Sequence, residues 1–249
     1  MKFGISSLAS EGKDIEEFLS FVEDLKIDYF ELLFEYPHDY IEKEIFESYS
    51  LNYTLHSPIS DLNIASTNKA ILKASINEIK RSADYIHDIG GNILVVHPGR
   101  VGFTQRFFND YGKEIANNAM IETAIYAKDL GVEICFENMP NFEGFLYQST
   151  DELDNFLKEN NLSMTFDIGH KNTIDGKTSS YYKSVKHIHL HDNDKSFDSH
   201  LPLGQGVIDF DEFFNMYEKN GYNGIYILEL NNKQDILKSI EYLKENKYF

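Results

Sequence analysis

The chain of 249 residues is long enough for one large α/β unit, since an eightfold β/α barrel needs roughly 250 residues in one piece. Its formal charge of −18, from 41 acidic against 23 basic residues, weighs against a broad nucleic-acid surface, which is built from Lys and Arg. A lone cysteine, Cys135 inside an apolar run, excludes an internal disulfide and reads as a small buried hydrophobe.

Short β-branched or aromatic runs alternate with amphipathic stretches, the pattern of repeated βα units. FGIS (3–6) leads to a helix near 14–25, and YFELLF (29–34) to one near 39–48. YTLH (53–56) precedes the longest helical pattern, near 67–89, where Ile71, Ile76, Ile79, Ala83 and Ile86 keep the period until Gly90 and Gly91 stop it. ILVVH (93–97) leads to a helix near 112–130 ending at Gly131, and EICFE (133–137) to one over 150–159 capped by Ser149. MTFD (164–167), HIHLH (187–191) and YILE (226–229) complete eight strands. The expectation is an α/β chain folded as a single (β/α)8 TIM barrel over 1–249, with its active site at the C-terminal ends of the strands. An open doubly wound sheet is disfavoured because GISSLAS after the first strand is not a Gly-rich phosphate loop. The opening MKFGISSLAS lacks a secretory apolar core, and no run approaches the roughly 18 apolar residues of a membrane span. A cytoplasmic location without a membrane partner is therefore expected.

Nine metal-ligand side chains stand at or just beyond the ends of apolar runs: His56, His97, Glu137, Asp167, His170, His189, Asp198, His200 and Glu229. Groups closing successive strands of a parallel barrel converge on one rim, and carboxylates and imidazoles gathered there need cations to offset their repulsion and desolvation. Asp167 closes a strand, with His170 in the loop above it. HIHLHD puts His187, His189 and His191 on one side of a strand by period 2. Asp198 and His200 belong to a loop, DSHLPLGQG, whose glycines allow tight turns. Such a set accepts Zn, Mn, Mg or Co, at one to three ions per chain.

HSP (56–58), HPG (97–99), ENMP (137–140), FDIGH (166–170), HIHLHD (187–192), DSHLPLGQG (198–206) and ILE (227–229) resemble, in order, the motifs of the xylose isomerase-like TIM-barrel superfamily. That group holds sugar phosphate isomerases and epimerases and endonuclease IV. The resemblance implies that Glu137, Asp167, His189 and Glu229 bind one divalent metal. In the endonuclease IV branch, two more ions would be held by His56, His97 and Glu137, and by His170, Asp198 and His200. His200 stands where epimerases of the group commonly carry Arg, which pulls towards a multinuclear site. Ile59 and Ser60 stand where endonuclease IV places an aromatic wedge, and Glu31 and Glu35 are similar to the acidic strand of the sugar isomerase branch.

The first reading is thus a metal-dependent isomerase or epimerase acting on a sugar or sugar phosphate. Glu137 and Glu229 would exchange the proton next to a carbonyl, and His170 would orient a hydroxyl. The alternative is an endonuclease IV-like phosphodiester hydrolase with a multinuclear zinc site. A vestigial binding module fits less well, because every ligand position is filled. Arg100, Arg106 and Lys171 are candidate substrate contacts. Asn138 is a candidate for substrate binding or, with His191 and Asp192, for holding the ligands in place. His38 and His87 read as surface or packing residues, and the pairs Phe107–Phe108 and Phe213–Phe214 as helix-to-barrel contacts. Substrate identity and oligomeric state are not fixed by these residues.

Overall fold

The structure, a computed structural model, describes residues 1–39, 41–102, 109–174 and 180–249. Eight parallel strands form a closed barrel in chain order: β1 (Lys2–Ser6), β2 (Tyr29–Leu33), β3 (Asn52–His56), β4 (Ile93–Val96), β5 (Glu133–Glu137), β6 (Ser163–Asp167), β7 (Val185–Leu190) and β8 (Ile225–Leu228). β8 closes the ring by pairing Ile225 with Lys2 of β1. Around it run α1 (Ile15–Asp24), α2 (Lys43–Phe46), α3 (Lys69–Asp88), α4 (Asn109–Asp129), α5 (Thr150–Asn160), α6 (Ile168–Asn172), α7 (Phe210–Lys219) and α8 (Lys233–Glu245). Side chains of Asp14, Asn68, Ser149, Asp209 and Asn232 accept first-turn amide protons and start five of these helices.

Strand alternation sorts the interior into two regions. Phe30, Leu55, Leu94, Phe136, Phe166 and Leu228 join the apolar layer beneath the helices. The opposite faces fill the lumen with Glu31, Thr54, Thr165, His187 and His189, all buried. Interior layers of this fold are usually dominated by Val, Ile and Leu, so the lumen is polar to an unusual degree. Space there is tight: a Cβ on Gly4 would sit 2.4 Å from Ile227 Cδ1.

Two of the expected helices differ in extent. The helix expected near 39–48 is a single turn, Lys43–Phe46, because Glu42 provides no side-chain cap and Phe46 is the residue that turn buries. The helix expected near 112–130 starts earlier, at Asn109. Phe213 packs on Phe166 at 6.0 Å between centroids and Phe214 on Tyr226 at 5.5 Å, the expected helix-to-barrel contacts. His38 is a packing residue, buried with Nε2 3.0 Å from Lys13 O, and His87 is exposed. Arg106, Phe107 and Phe108 lie outside the described residues. Among the described residues no helix is long and apolar enough to cross a membrane.

Candidate metal centre

The C-terminal rim collects the candidate ligands by two different devices. His56, Glu137 and Asp167 are the last residues of β3, β5 and β6, His189 lies in β7, and His97 and Glu229 follow β4 and β8 by one residue. His170, expected in a loop, sits on α6 instead. The Asp167 carboxylate caps that turn by accepting from His170 N at 2.6 Å, so a two-residue spacer becomes a helical return to the same rim.

Asp198 and His200 ride on the β7–α7 loop, which has its own anchor. Asp192 accepts from four backbone amides, Asn193 at 2.9 Å, Gly204 at 3.0 Å, Gly206 at 2.9 Å and Ile208 at 3.2 Å. Its backbone also pairs with Leu201 in both directions at 2.8 Å. Gly206 must lack a side chain here, because a Cβ would lie 2.3 Å from Asp192 Oδ1. His200 takes φ 48, a left-handed conformation uncommon for a residue with a side chain and concentrated at functional sites.

Three groups of ligand atoms result at the rim, each within 4.8 Å internally: His56, His97 and Glu137; Glu137, Asp167, His189 and Glu229; and His170, His191, Asp198 and His200; a fourth, Glu31, His187 and His189, lies beneath them in the lumen. All nine sequence candidates are present, with His191 as a tenth. Glu137 is the hub: its Oε2 lies 3.3 Å from His56 Nε2 and 2.9 Å from His97 Nε2, and its Oε1 2.9 Å from His189 Nδ1. Glu229 Oε2 is 3.2 Å from the same His189 Nδ1, with Asp167 Oδ2 at 3.9 Å. In the third group, Asp198 stands 3.2 Å from His170, 3.4 Å from His191 and 3.5 Å from His200.

The donor set fits divalent cations on three counts. First, with metal–ligand bonds of about 2.0–2.1 Å, adjacent corners of a tetrahedron lie roughly 3.3 Å apart, and the spacings from 3.2 to 3.5 Å match that edge. Second, His56, His170 and His200 each donate Nδ1–H to a backbone carbonyl, Ser57 O at 2.7 Å, Asn138 O at 2.8 Å and Glu229 O at 2.8 Å. A carbonyl only accepts, so the neutral ring is left with its Nε2 lone pair aimed into the cluster, the arrangement of a metal-binding histidine. Third, Asp167 Oδ2, Asp198 Oδ1 and both ring nitrogens of His191 are buried without hydrogen-bond partners.

The electrostatics agree. Burial opposes ionisation of Glu137, yet His189, His56 and His97 outweigh it and hold the carboxyl well below the usual carboxylate range. Burial likewise opposes charging of His189 and His170, but Glu229, Glu31 and Glu137 push the first well up, and Asp167 and Asp198 the second. His200 rises to about 9, burial being overcome by Asp198 and Glu229, and Glu229 falls to about 2, burial being overcome by His189. For His97 burial prevails over Glu137 and its pKa drops. Without metal the rim thus borrows positive charge from imidazole protons, which bound cations would displace.

Above the ligands opens a cavity of about 320 Å³, within the roughly 300–1,000 Å³ of small-molecule pockets. His56, His97, Glu137, His170, His200 and Glu229 line its base, and Leu33, Ile59, Met139, Phe142 and Phe145 its wall. Arg100 lines a neighbouring cleft that shares Ile59, His97 and Phe145 with this cavity. Lys171 is buried on α6 and does not line it. Asn138 does not reach it either. Its amide accepts from Asp167 N and donates to Asp167 O, both at 2.9 Å, so it braces a ligand strand and offers no free polar atom to a substrate. Glu35 accepts from Ser60 N at 3.0 Å and Ile59 N at 3.3 Å, fixing the loop that brings Ile59 to the mouth.

Three residues take roles that sequence reasoning did not assign. His191 was read as a support, yet Gly169 makes room for it inside the third group: a Cβ there would sit 1.9 Å from His191 Cε1. Glu31 and His187 form a buried pair beneath His189, and the period-2 pattern of HIHLHD was the signal that held His187.

A family model described as xylose isomerase-like TIM barrel matches residues 19–246. The chain belongs to this family. An uncharacterized protein of Methanocaldococcus jannaschii is 32% identical over 264 residues, covering 98% of this chain and 89% of that protein. Inosose dehydratase of Clostridium beijerinckii is 25% identical over 201 residues, covering 66% of each. The crystal structure of a D-tagatose 3-epimerase-like protein superposes with a TM-score of 0.90 at 31% identity, covering 98% of this chain and 96% of that one.

Proposed function

We propose that the chain is a divalent-metal-dependent isomerase or epimerase acting on a sugar or sugar phosphate. The observation that carries this is the convergence of Glu137 and Glu229, from β5 and the end of β8, on one imidazole nitrogen at 2.9 and 3.2 Å under a cavity sized for a small molecule. Similarity to a D-tagatose 3-epimerase-like protein across nearly the whole chain supports it. Glu137, Asp167, His189 and Glu229 would hold the catalytic ion, which when bound polarises a substrate carbonyl and its neighbouring hydroxyl.

In this reading one of the two glutamates removes the proton from the carbon next to the carbonyl, and the other returns a proton from the opposite side. No electrons are gained or lost overall. His170, locked by Asn138 O, presents Nε2 to the cavity and orients a substrate hydroxyl. Leu33, Ile59, Met139 and Phe142 keep water from the reacting carbon. The test is incubation of metal-loaded protein with ketohexoses and their phosphates in D2O, followed by NMR. Deuterium entry next to the carbonyl with appearance of the epimer or aldose is expected, and absence of exchange across the panel counts against the proposal.

A second reading, endonuclease IV-like hydrolysis of a phosphodiester, is favoured by one observation: all nine positions of a multinuclear site are filled and gathered in three groups. Here Glu137 would bridge ions and Glu229 would serve as a ligand only. Metal-dependent nicking of abasic-site DNA, with no proton exchange on sugars, would select it.

A further inference from the structure

Below the rim, in the barrel lumen, Glu31, His187 and Thr54, which neither mechanism uses, lie beneath the candidate ligand His189. Glu31 of β2, His187 and His189 of β7 and Thr54 of β3 are all buried, the first three with no exposed surface. Glu31 Oε2 lies 2.7 Å from His187 Nε2 and accepts from Thr54 Oγ1 at 3.0 Å, while Glu31 Oε1 lies 2.8 Å from His189 Nε2. The last pair is close but out of line for a hydrogen bond. The 2.7 Å separation from His187 is that of a charge-assisted hydrogen bond, shorter than the 2.9 Å contacts that Glu137 makes at the rim.

We infer that Glu31 is a positioning residue that fixes the tautomer and direction of His189. With a divalent ion held by Glu137, Asp167 and Glu229, His189 would offer the Nδ1 lone pair that faces the two glutamates, and the single proton of its neutral ring would stand on Nε2, 2.8 Å from the Glu31 carboxylate, which only accepts. Without this partner, His189 could flip its ring or protonate Nδ1, and either change removes the nitrogen around which the two glutamates converge. Thr54 and His187 serve the same end by holding Glu31 in place from two further sides. The inference rests on reading the rim as a metal centre.

The test is chelator competition with Zn and Mn on the full chain, comparing wild type, Glu31→Gln, His189→Ala and the double variant. Glu31→Gln is expected to weaken binding by roughly 10- to 100-fold with the number of ions unchanged, and to have no further effect once His189 is gone. Nitrogen-15 NMR of the metal-loaded wild-type protein is expected to show His189 protonated at Nε2 and not at Nδ1, so the outcome stands even if Glu31→Gln fails to fold. Unchanged affinity in Glu31→Gln, additive losses in the double variant, or a His189 proton on Nδ1 in the metal-loaded protein overturns the inference. Loss of one whole ion in Glu31→Gln would make Glu31 a ligand, which also overturns it. A wild-type protein that takes up no ion would instead overturn the metal-centre reading itself.

Discussion

On one side the candidate ligands His56, His97, Glu137, Asp167, His189 and Glu229 ride on or directly beyond strands, whereas above β6 and β7 His170 rides on a single helical turn and Asp198 and His200 on a loop. The first side inherits its geometry from the barrel's backbone ladder. The second has to build its own, and does so through the Asp167 cap, the space left by Gly169 and the four amides gathered by Asp192. One half of the site is therefore set by the fold, the other by a few polar side chains that act as anchors.

Substitutions that touch the shared hub bring the largest expected effect. Glu137→Gln and Glu229→Gln lower turnover by about 10²- to 10⁴-fold or more with folding intact, as steady-state kinetics and thermal melts will show. Near-normal activity in both variants would remove proton transfer by these residues from the account.

Asp192→Ala separates the two halves. It leaves amides of Asn193, Gly204, Gly206 and Ile208 without their acceptor, so stability falls by roughly 1–3 kcal/mol. Metal affinity is expected to drop about 10- to 100-fold at the His170–Asp198–His200 group while the Glu137–Asp167–His189–Glu229 group keeps its ion. Equal losses at both would mean that the halves are not independently positioned.

Acid and base act on His200 and Glu229 with opposite sign. In metal-free protein His200 stands at about 9, above its ordinary 6.5, so its stabilisation is full below 6.5 and is lost as pH rises through 9. Glu229 stands at about 2, below its ordinary 4.5, so its contribution is full above 4.5 and is lost as pH falls through about 2. Melting temperature of the metal-free protein thus declines from pH 6.5 to 9. Metal binding, which needs unprotonated imidazole, strengthens over the same range. A parallel decline in the loaded protein would contradict the displacement of imidazole protons by metal.

Arg100→Ala carries the smallest effect. Its side chain lines the adjoining cleft and not the metal cavity, so stability should change by no more than about 0.5 kcal/mol and KM by about twofold. A large rise in KM would show that the substrate extends past His97 and Ile59 into that cleft.

The strand-borne half was legible in the sequence because each ligand closes an apolar run, and a period-2 run ending in His or Glu needs no long-range information. The anchored half was legible in its residues but not in its geometry. Asp198 and His200 could be marked, but the role of Asp192 depends on amides 12 to 16 residues ahead folding back on it. The pairing of Glu31 with His187 was hidden for a different reason. A lumen-facing polar residue has the same alternation as a rim ligand, and its partner lies 156 positions away. The one-turn α6 escaped because its signal is a single cap, Asp167, already read as a ligand.

The most direct test of the central claim is the divalent metal content per chain of protein purified without chelator, by inductively coupled plasma mass spectrometry. Between one and three ions per chain, falling when Glu137 is replaced by Ala, is the expected result. A wild-type protein that carries none and takes up no Zn, Mn, Mg or Co on addition would contradict it.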